Sequence, residues 1–196
     1  MSTRGAVGFK LFDEYKVTYN HGDSYVKGGL GADVVDFINY MNNEGDWNQL
    51  KKNVAKLKLV DEDSIPSEKQ INRYLNVYCD TSVSEQSPTD WYCLLRGAQG
   101  VETLWGVYNR KLRHIIDSFD FLTDSLYCEY GYIINLDDMT FDFYRGNNNT
   151  PYASTKLPVD MGKFDEGVYR NIGEKFYPCF LRVEFELAKP PQNWIK

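Results

Sequence analysis

The chain has 196 residues, a formal net charge of −6, 42% hydrophobic and 15% aromatic residues, which suits one domain, 1–196, with a core of its own. The acidic balance argues against non-specific nucleic-acid binding, which needs Lys and Arg to neutralise phosphates, yet it leaves room for a local basic pocket. No apolar run approaches the ~20 residues of a membrane span, and the first residues lack a signal peptide's apolar core, so the expectation is a soluble protein of the cytoplasm with no membrane partner.

Cys79, Cys93, Cys128 and Cys179 form no CxxC pair, which disfavours a zinc ribbon or a thioredoxin-type site. Gly5–Phe12 and Lys16–Tyr19 are short apolar runs separated by Asp13-Glu14, the pattern of an N-terminal β-hairpin. Val34, Val35, Phe37, Ile38 and Met41 then recur at helical spacing, with Asp33 near the start. Asn42-Asn43-Glu44-Gly45 breaks the pattern, and Asp46 caps a second helix through Trp47, Leu50, Val54 and Leu57.

Asp61–Pro66 is an acidic loop, after which Ser67 and Gln70 make a capping box for a helix through Ile71, Tyr74 and Leu75. Asp80–Pro88 is a polar loop, and Thr89 or Asp90 caps a helix through Trp91, Leu94 and Leu95. Gly97, Gly100 and Gly106 obscure the next segment, and Leu112–Ile116 fits helix or strand equally. Tyr130–Leu136 and Met139–Tyr144 flank Asp137-Asp138, a second hairpin, followed by a polar, flexible loop at 145–149. Phe180–Leu187 alternates apolar with charged residues, as a half-buried strand does. These elements predict an α+β fold. An antiparallel or mixed sheet comes from the N- and C-terminal hairpins, and central helices, about residues 32–118, pack on it.

The densest chemistry lies between Tyr19 and Gly31. Lys27-Gly28-Gly29-Leu30-Gly31 leads into the first helix, where free amides reached through glycine can hold a phosphate, with Lys27 and Arg4 adding charge. The stretch lacks the Gly-Lys-Ser/Thr ending of a P-loop. Tyr19, Tyr25 and Trp91, with Tyr130, Tyr144, Arg145 and Asn147, supply rings to stack a base and polar groups to bind it. Asn20 and His21 are candidate hydrogen-bond donors, Tyr25 and Tyr144 candidate stacking rings, and Gly29 part of the anion loop.

Catalytic readings are weaker. His21, Asp23 and Ser24 have the types of a triad, but on an extended segment His21 and Asp23 share a face from which Ser24 points away. Ser2 or Thr3 would act as an N-terminal nucleophile if Met1 were removed. Arg4 has a simpler use, pairing with a carboxylate such as Asp23. Two histidines, His21 and His114, make a poor metal set with Asp23, so neither a metal nor a cofactor is expected.

At Thr3-Arg4-Gly5, Tyr19-Asn20-His21, Asp23-Ser24-Tyr25 and Gly29-Leu30-Gly31, the chain resembles a family of uncharacterised phage and bacterial proteins. Trp91-Tyr92, Leu94-Leu95-Arg96, Gln99-Gly100, Asp124-Ser125-Leu126, Cys128-Glu129-Tyr130 and Tyr144-Arg145-Gly146 look like the same family. Its members usually read Asp-Ser-Tyr-Pro where this chain has Val26, and losing that proline relaxes the backbone there. The resemblance implies a phage or bacterial origin and one compact domain, but no activity.

The sequence therefore points first to a phage-type binding protein that sequesters a small anionic, nucleotide-like host defence signal in the host cytoplasm. A hydrolase with an N-terminal nucleophile and a protein–protein inhibitor of a host enzyme are the alternatives. Edge pairing through Phe180–Leu187 would make a homodimer.

Overall fold

The computed structural model describes residues 3–82, 88–150, 155–160, 168–169 and 175–192. Ser2 and residues 83–87 of the expected polar loop lie outside that set.

The expected α+β architecture is present. Strands β1 (Gly5–Leu11) and β2 (Glu14–Asn20) form the N-terminal hairpin. Its turn is Phe12-Asp13, not Asp13-Glu14, because Glu14 already pairs with Leu11. Both turn residues take positive φ (57° and 59°), the geometry that follows the twist of two antiparallel strands. The Asp137 carboxylate accepts the Phe12 and Asp13 amides at 2.8 and 3.0 Å, which ties this turn to the second hairpin.

That hairpin is β5 (Tyr130–Asn135) and β6 (Thr140–Arg145), joined by 136–139, a connection longer than the expected Asp137-Asp138 pair. Leu136 lies just past β5, its amide still donating to Lys10 O of β1 at 2.8 Å, and the turn is made by Asn135 Oδ1, which accepts the Asp137 and Asp138 amides, both at 3.1 Å. With β9 (Phe180–Glu186) the main sheet runs β2-β1-β5-β6-β9, antiparallel except for the parallel pair β1–β5. β9 is half-buried along an edge, as its alternation indicates.

A parallel pair cannot be closed by a tight turn, so a long crossover must connect β2 to β5. That crossover carries the helices. α1 (Leu30–Asn43) buries Val34, Val35, Phe37, Ile38 and Met41, the five residues of the apolar pattern. α2 (Trp47–Ala55) starts at Asp46, whose carboxylate accepts the Asn48 and Gln49 amides. β3 (Lys58–Val60) follows, then α3 (Glu68–Tyr74) behind the Ser67/Gln70 capping box. α4 (Trp91–Leu94) is capped by Asp90, which accepts Cys93 N at 2.7 Å. The glycine-rich segment resolves into a short 3₁₀ turn at Arg96–Ala98 and α5 (Val101–Tyr108). Leu112–Ile116 resolves into β4 (His114–Ile116), parallel to β3. A further short pair joins β7 (Val168–Tyr169) to β8 (Lys175–Phe176).

The helices cover one face of the sheet. Val7, Phe9, Tyr132, Ile134, Phe141 and Phe143 meet α1 and its neighbours in the larger core. Ala6, Val17, Ile133 and Tyr144 point to the other face, into a smaller cluster with Leu122 and Cys179. This alternation decides which site residues can ever meet.

The loop at 145–149 was expected to be flexible, and the structure corrects this. Asn148 is buried and donates to Pro178 O at 2.8 Å, while the Gly146 and Asn147 amides donate to Glu129 O and Ser125 O. A Cβ on Gly146 would lie 1.8 Å from Cys128 O, so only glycine fits there.

Candidate functional site

The loop between β2 and α1 is built by its own backbone. Asn20 Nδ2 donates to Gly22 O at 2.6 Å and to Ser24 Oγ at 2.7 Å. Ser24 is fully buried, its amide donating to Thr3 O and its carbonyl accepting the Tyr132 hydroxyl at 2.7 Å. Asp23 takes φ 53°, a left-handed turn that Asp tolerates better than most residues. Its carbonyl then accepts Leu30 N at 2.8 Å, and the Tyr25 carbonyl accepts Gly31 N at 3.0 Å. The Ala32 and Asp33 amides both turn to Gly29 O.

The first four amides of α1 are therefore occupied by the chain itself, which corrects the expectation of an anion held at the helix start. Gly29 serves the loop through close approach: a Cβ there would lie 2.3 Å from Asp23 O. Asn20 and Ser24 are scaffold, not ligand-facing groups. Burial of Ser24 and capture of its hydroxyl by Asn20 also remove the triad reading. Thr3 is buried too, which leaves the nucleophile reading without an accessible hydroxyl among the described residues.

What this scaffold presents is Tyr25 and Lys27. Both are exposed, and both line a cleft of about 530 Å³ with Tyr130, Phe143, Arg145 and Arg182. Tyr130 and Arg145 are register partners across β5–β6, and the guanidinium lies 4.2 Å from the ring centroid. Behind Tyr130 the rings of Phe143 and Tyr132 stack at 6.2 and 6.4 Å, so the platform is continuous with the core. Among the described residues, no carboxylate lines the cleft. Among the described residues, Lys27, Arg145 and Arg182 form no ion pair. Three cations beside two partly open rings suit an anion that also carries a flat ring.

The remaining candidates lie elsewhere. Tyr144, one residue before Arg145, points to the opposite face and is fully buried, so it cannot stack a ligand. Asn147 is held in the ordered loop, and Trp91 is buried against Tyr74 and His114. Tyr19 packs edge-on against Phe121 at 4.9 Å, its hydroxyl 3.2 Å from His21 Nδ1. Gln99 Oε1 accepts the His21 amide and Arg96 Nη1, both at 3.1 Å. Partial burial, then Arg96 and Arg4, hold the His21 pKa below the usual imidazole value. The neighbouring pocket, about 480 Å³, includes Glu62, Asp117 and Asp120, a lining that repels anions. Arg4 lies over Tyr127 at 5.9 Å and makes no ion pair with Asp23.

Arg182 escaped the sequence reading. Phe143 pairs with Val183 but Tyr144 pairs with Leu181, so Arg182 is the extra residue of a β-bulge. In the sequence it is one more charged position of an alternating strand. No metal-binding group of three or more His, Cys, Asp or Glu forms among the described residues, and His21, Asp23 and His114 do not make one.

Together these features define an α+β chain with a cationic, aromatic-floored cleft at one end of a mixed sheet. No family model, no curated protein and no solved structure matches it. No helix among the described residues is long and apolar enough to cross a membrane.

Proposed function

We propose that the chain binds a small anionic ligand of nucleotide type in the Tyr25–Tyr130 cleft. The observation that carries this reading is the convergence of Tyr25, Lys27, Tyr130, Arg145 and Arg182 on one cavity, with no carboxylate among the described residues of its lining. Tyr25 and Tyr130 supply faces for a base, and such stacking contributes about 1–3 kcal/mol per base. Lys27, Arg145 and Arg182 meet the phosphate, the two arginines as planar donors that can hold two oxygens at once.

The described lining of the cleft supplies cations and rings, groups suited to holding an anion, which supports retention of the ligand as the function. The resemblance at Tyr19–Gly31 to phage and bacterial proteins gives retention a purpose: sequestering a host defence signal in the host cytoplasm. The outer edge of β9 offers a route to two-fold pairing.

Native mass spectrometry on protein purified from cells, followed by thermal shift against nucleoside monophosphates and cyclic dinucleotides, tests the proposal. It predicts a co-purifying ligand, or a Tm that rises with nucleotide concentration, and recovery of that nucleotide intact. Conversion of the nucleotide would replace retention with catalysis. Absence of any ligand and of any shift would leave a protein-binding inhibitor as the better reading.

A further inference from the structure

A second cavity is lined by residues of the crossover between β2 and β5 and shares none of the described lining residues of the cleft. It encloses about 430 Å³ between the end of α2, β3, α3, the end of α5 and β4, and its lining includes Lys56, Lys58, Lys69, Arg73, Arg110 and Arg113. Among the described residues, not one Asp or Glu lines it. The chain has 28 acidic residues against 22 basic ones, so carboxylates to neutralise this cluster are plentiful. Yet among the described residues none of the six cations forms an ion pair.

Helix ends explain a part of it. Lys56 is the C-cap of α2 and Arg73 sits in the last turn of α3, where cations favour the dipole. Arg110 follows the C-cap of α5 and has the same use, whereas Lys58, Lys69 and Arg113 do not. Like charges crowded around one concavity raise the energy of the empty fold, and an anion placed among them reverses that cost.

The floor of the cavity is ordered and neutral. Gln70 Oε1 accepts the Ser67 amide at 2.8 Å, so its Nε2, 3.2 Å from His114 Nε2, donates to that ring nitrogen. His114 Nδ1 therefore carries the proton and donates to the Tyr74 hydroxyl at 2.7 Å, which also accepts Arg113 N at 3.1 Å. Asn53 is fixed by donating to Val107 O and Tyr108 O. The parallel register Lys58–His114 sets one cation directly beside this floor. Among the described residues no Tyr, Trp or Phe lines the cavity, so those residues offer no platform for a base.

We infer that this basin is a binding site for a compact, phosphate-rich anion, such as a polyphosphate chain or a multiply phosphorylated small molecule. It is separate from the nucleotide-type cleft and does not depend on it. An extended nucleic-acid backbone fits less well, because the six cations converge on one concavity in a chain whose remaining residues carry a net charge more negative than −6.

The test is isothermal titration calorimetry of the full chain with inorganic tripolyphosphate, in metal-free buffer at low salt. Saturable binding of one tripolyphosphate per chain is expected. The Arg73→Gln/Arg113→Gln variant should weaken it by about tenfold or more, roughly the factor one lost charge-assisted contact contributes, while Lys189→Gln, an exposed cation outside both cavities, leaves it unchanged. On the native protein, the His114 ring resonances should move to saturation with tripolyphosphate while those of His21 stay. Absence of saturable binding, equal binding by the basin variant, or a still His114 would each overturn the inference. So would a mixed-sequence DNA duplex that outcompetes tripolyphosphate at equal phosphate concentration. Nucleoside monophosphate affinity follows Lys27 and Arg145 instead, so the cleft can fail without the basin, and the reverse.

Discussion

The Arg145 guanidinium lies over Tyr130, 4.2 Å from the ring centroid, and the two are partners across the β5–β6 register. The sheet itself therefore places a cation on an aromatic ring at the mouth of the cleft. Such a contact contributes about 0.5–1 kcal/mol at an exposed site. Arg145→Met keeps the aliphatic cover and removes the charge. It is expected to lower nucleotide affinity about tenfold while moving Tm by only a few degrees, as measured by calorimetry and thermal unfolding.

Tyr144 is the internal control. It neighbours Arg145 in sequence, but the pleat turns it into the opposite core, fully buried. Tyr144→Phe removes one hydroxyl without opening a cavity, so stability should change by no more than about 1 kcal/mol and nucleotide affinity should not change. A loss of affinity in this variant would place the ligand on the wrong face of the sheet.

Gly29→Ala tests the loop that presents Tyr25 and Lys27. The added Cβ would meet Asp23 O at 2.3 Å, and that carbonyl already holds the Leu30 amide at 2.8 Å. The loop and the first turn of α1 must shift. A destabilisation of about 1–3 kcal/mol is expected from such overpacking, read by urea unfolding, together with weaker nucleotide binding.

The pH dependence follows from the two histidines. Both are held below the ordinary imidazole value of 6.5: His114 by burial, then Lys58, Arg73 and Arg113, and His21 by burial, then Arg96 and Arg4. Below pH 6.5 the unfolded chain takes up protons that the folded chain refuses, so this part of the stability is complete above that pH and is lost as pH falls. An NMR titration should show both rings deprotonating below 6.5, and His114→Gln should flatten the fall in Tm on its side. A folded-state value above 6.5 for His114 would contradict the hydrogen-bond assignment with Gln70.

Local signals were legible in the sequence. Asp46, Ser67 with Gln70, and Asp90 cap the helices they were expected to cap, because a cap is decided within four residues. Tyr25, Lys27, Tyr130 and Arg145 were legible as candidates from their chemistry. The parallel β1–β5 pairing was not, since it joins Gly5 to Tyr130 across the whole helical crossover. Nor was the use of the α1 amides, which depends on the left-handed turn at Asp23. The basic basin was hidden for a third reason: its cations come a few at a time from separate segments, within a chain of net negative charge.

The most direct test of the central claim is a heteronuclear NMR titration of the chain with nucleoside monophosphates and cyclic dinucleotides. The cleft account predicts that signals of Tyr25, Lys27, Tyr130 and Arg145 move together and saturate, and that Lys27→Glu abolishes the movement without unfolding the protein. Saturation with these four residues still, or a Lys27→Glu variant that binds as well as the parent, would contradict it.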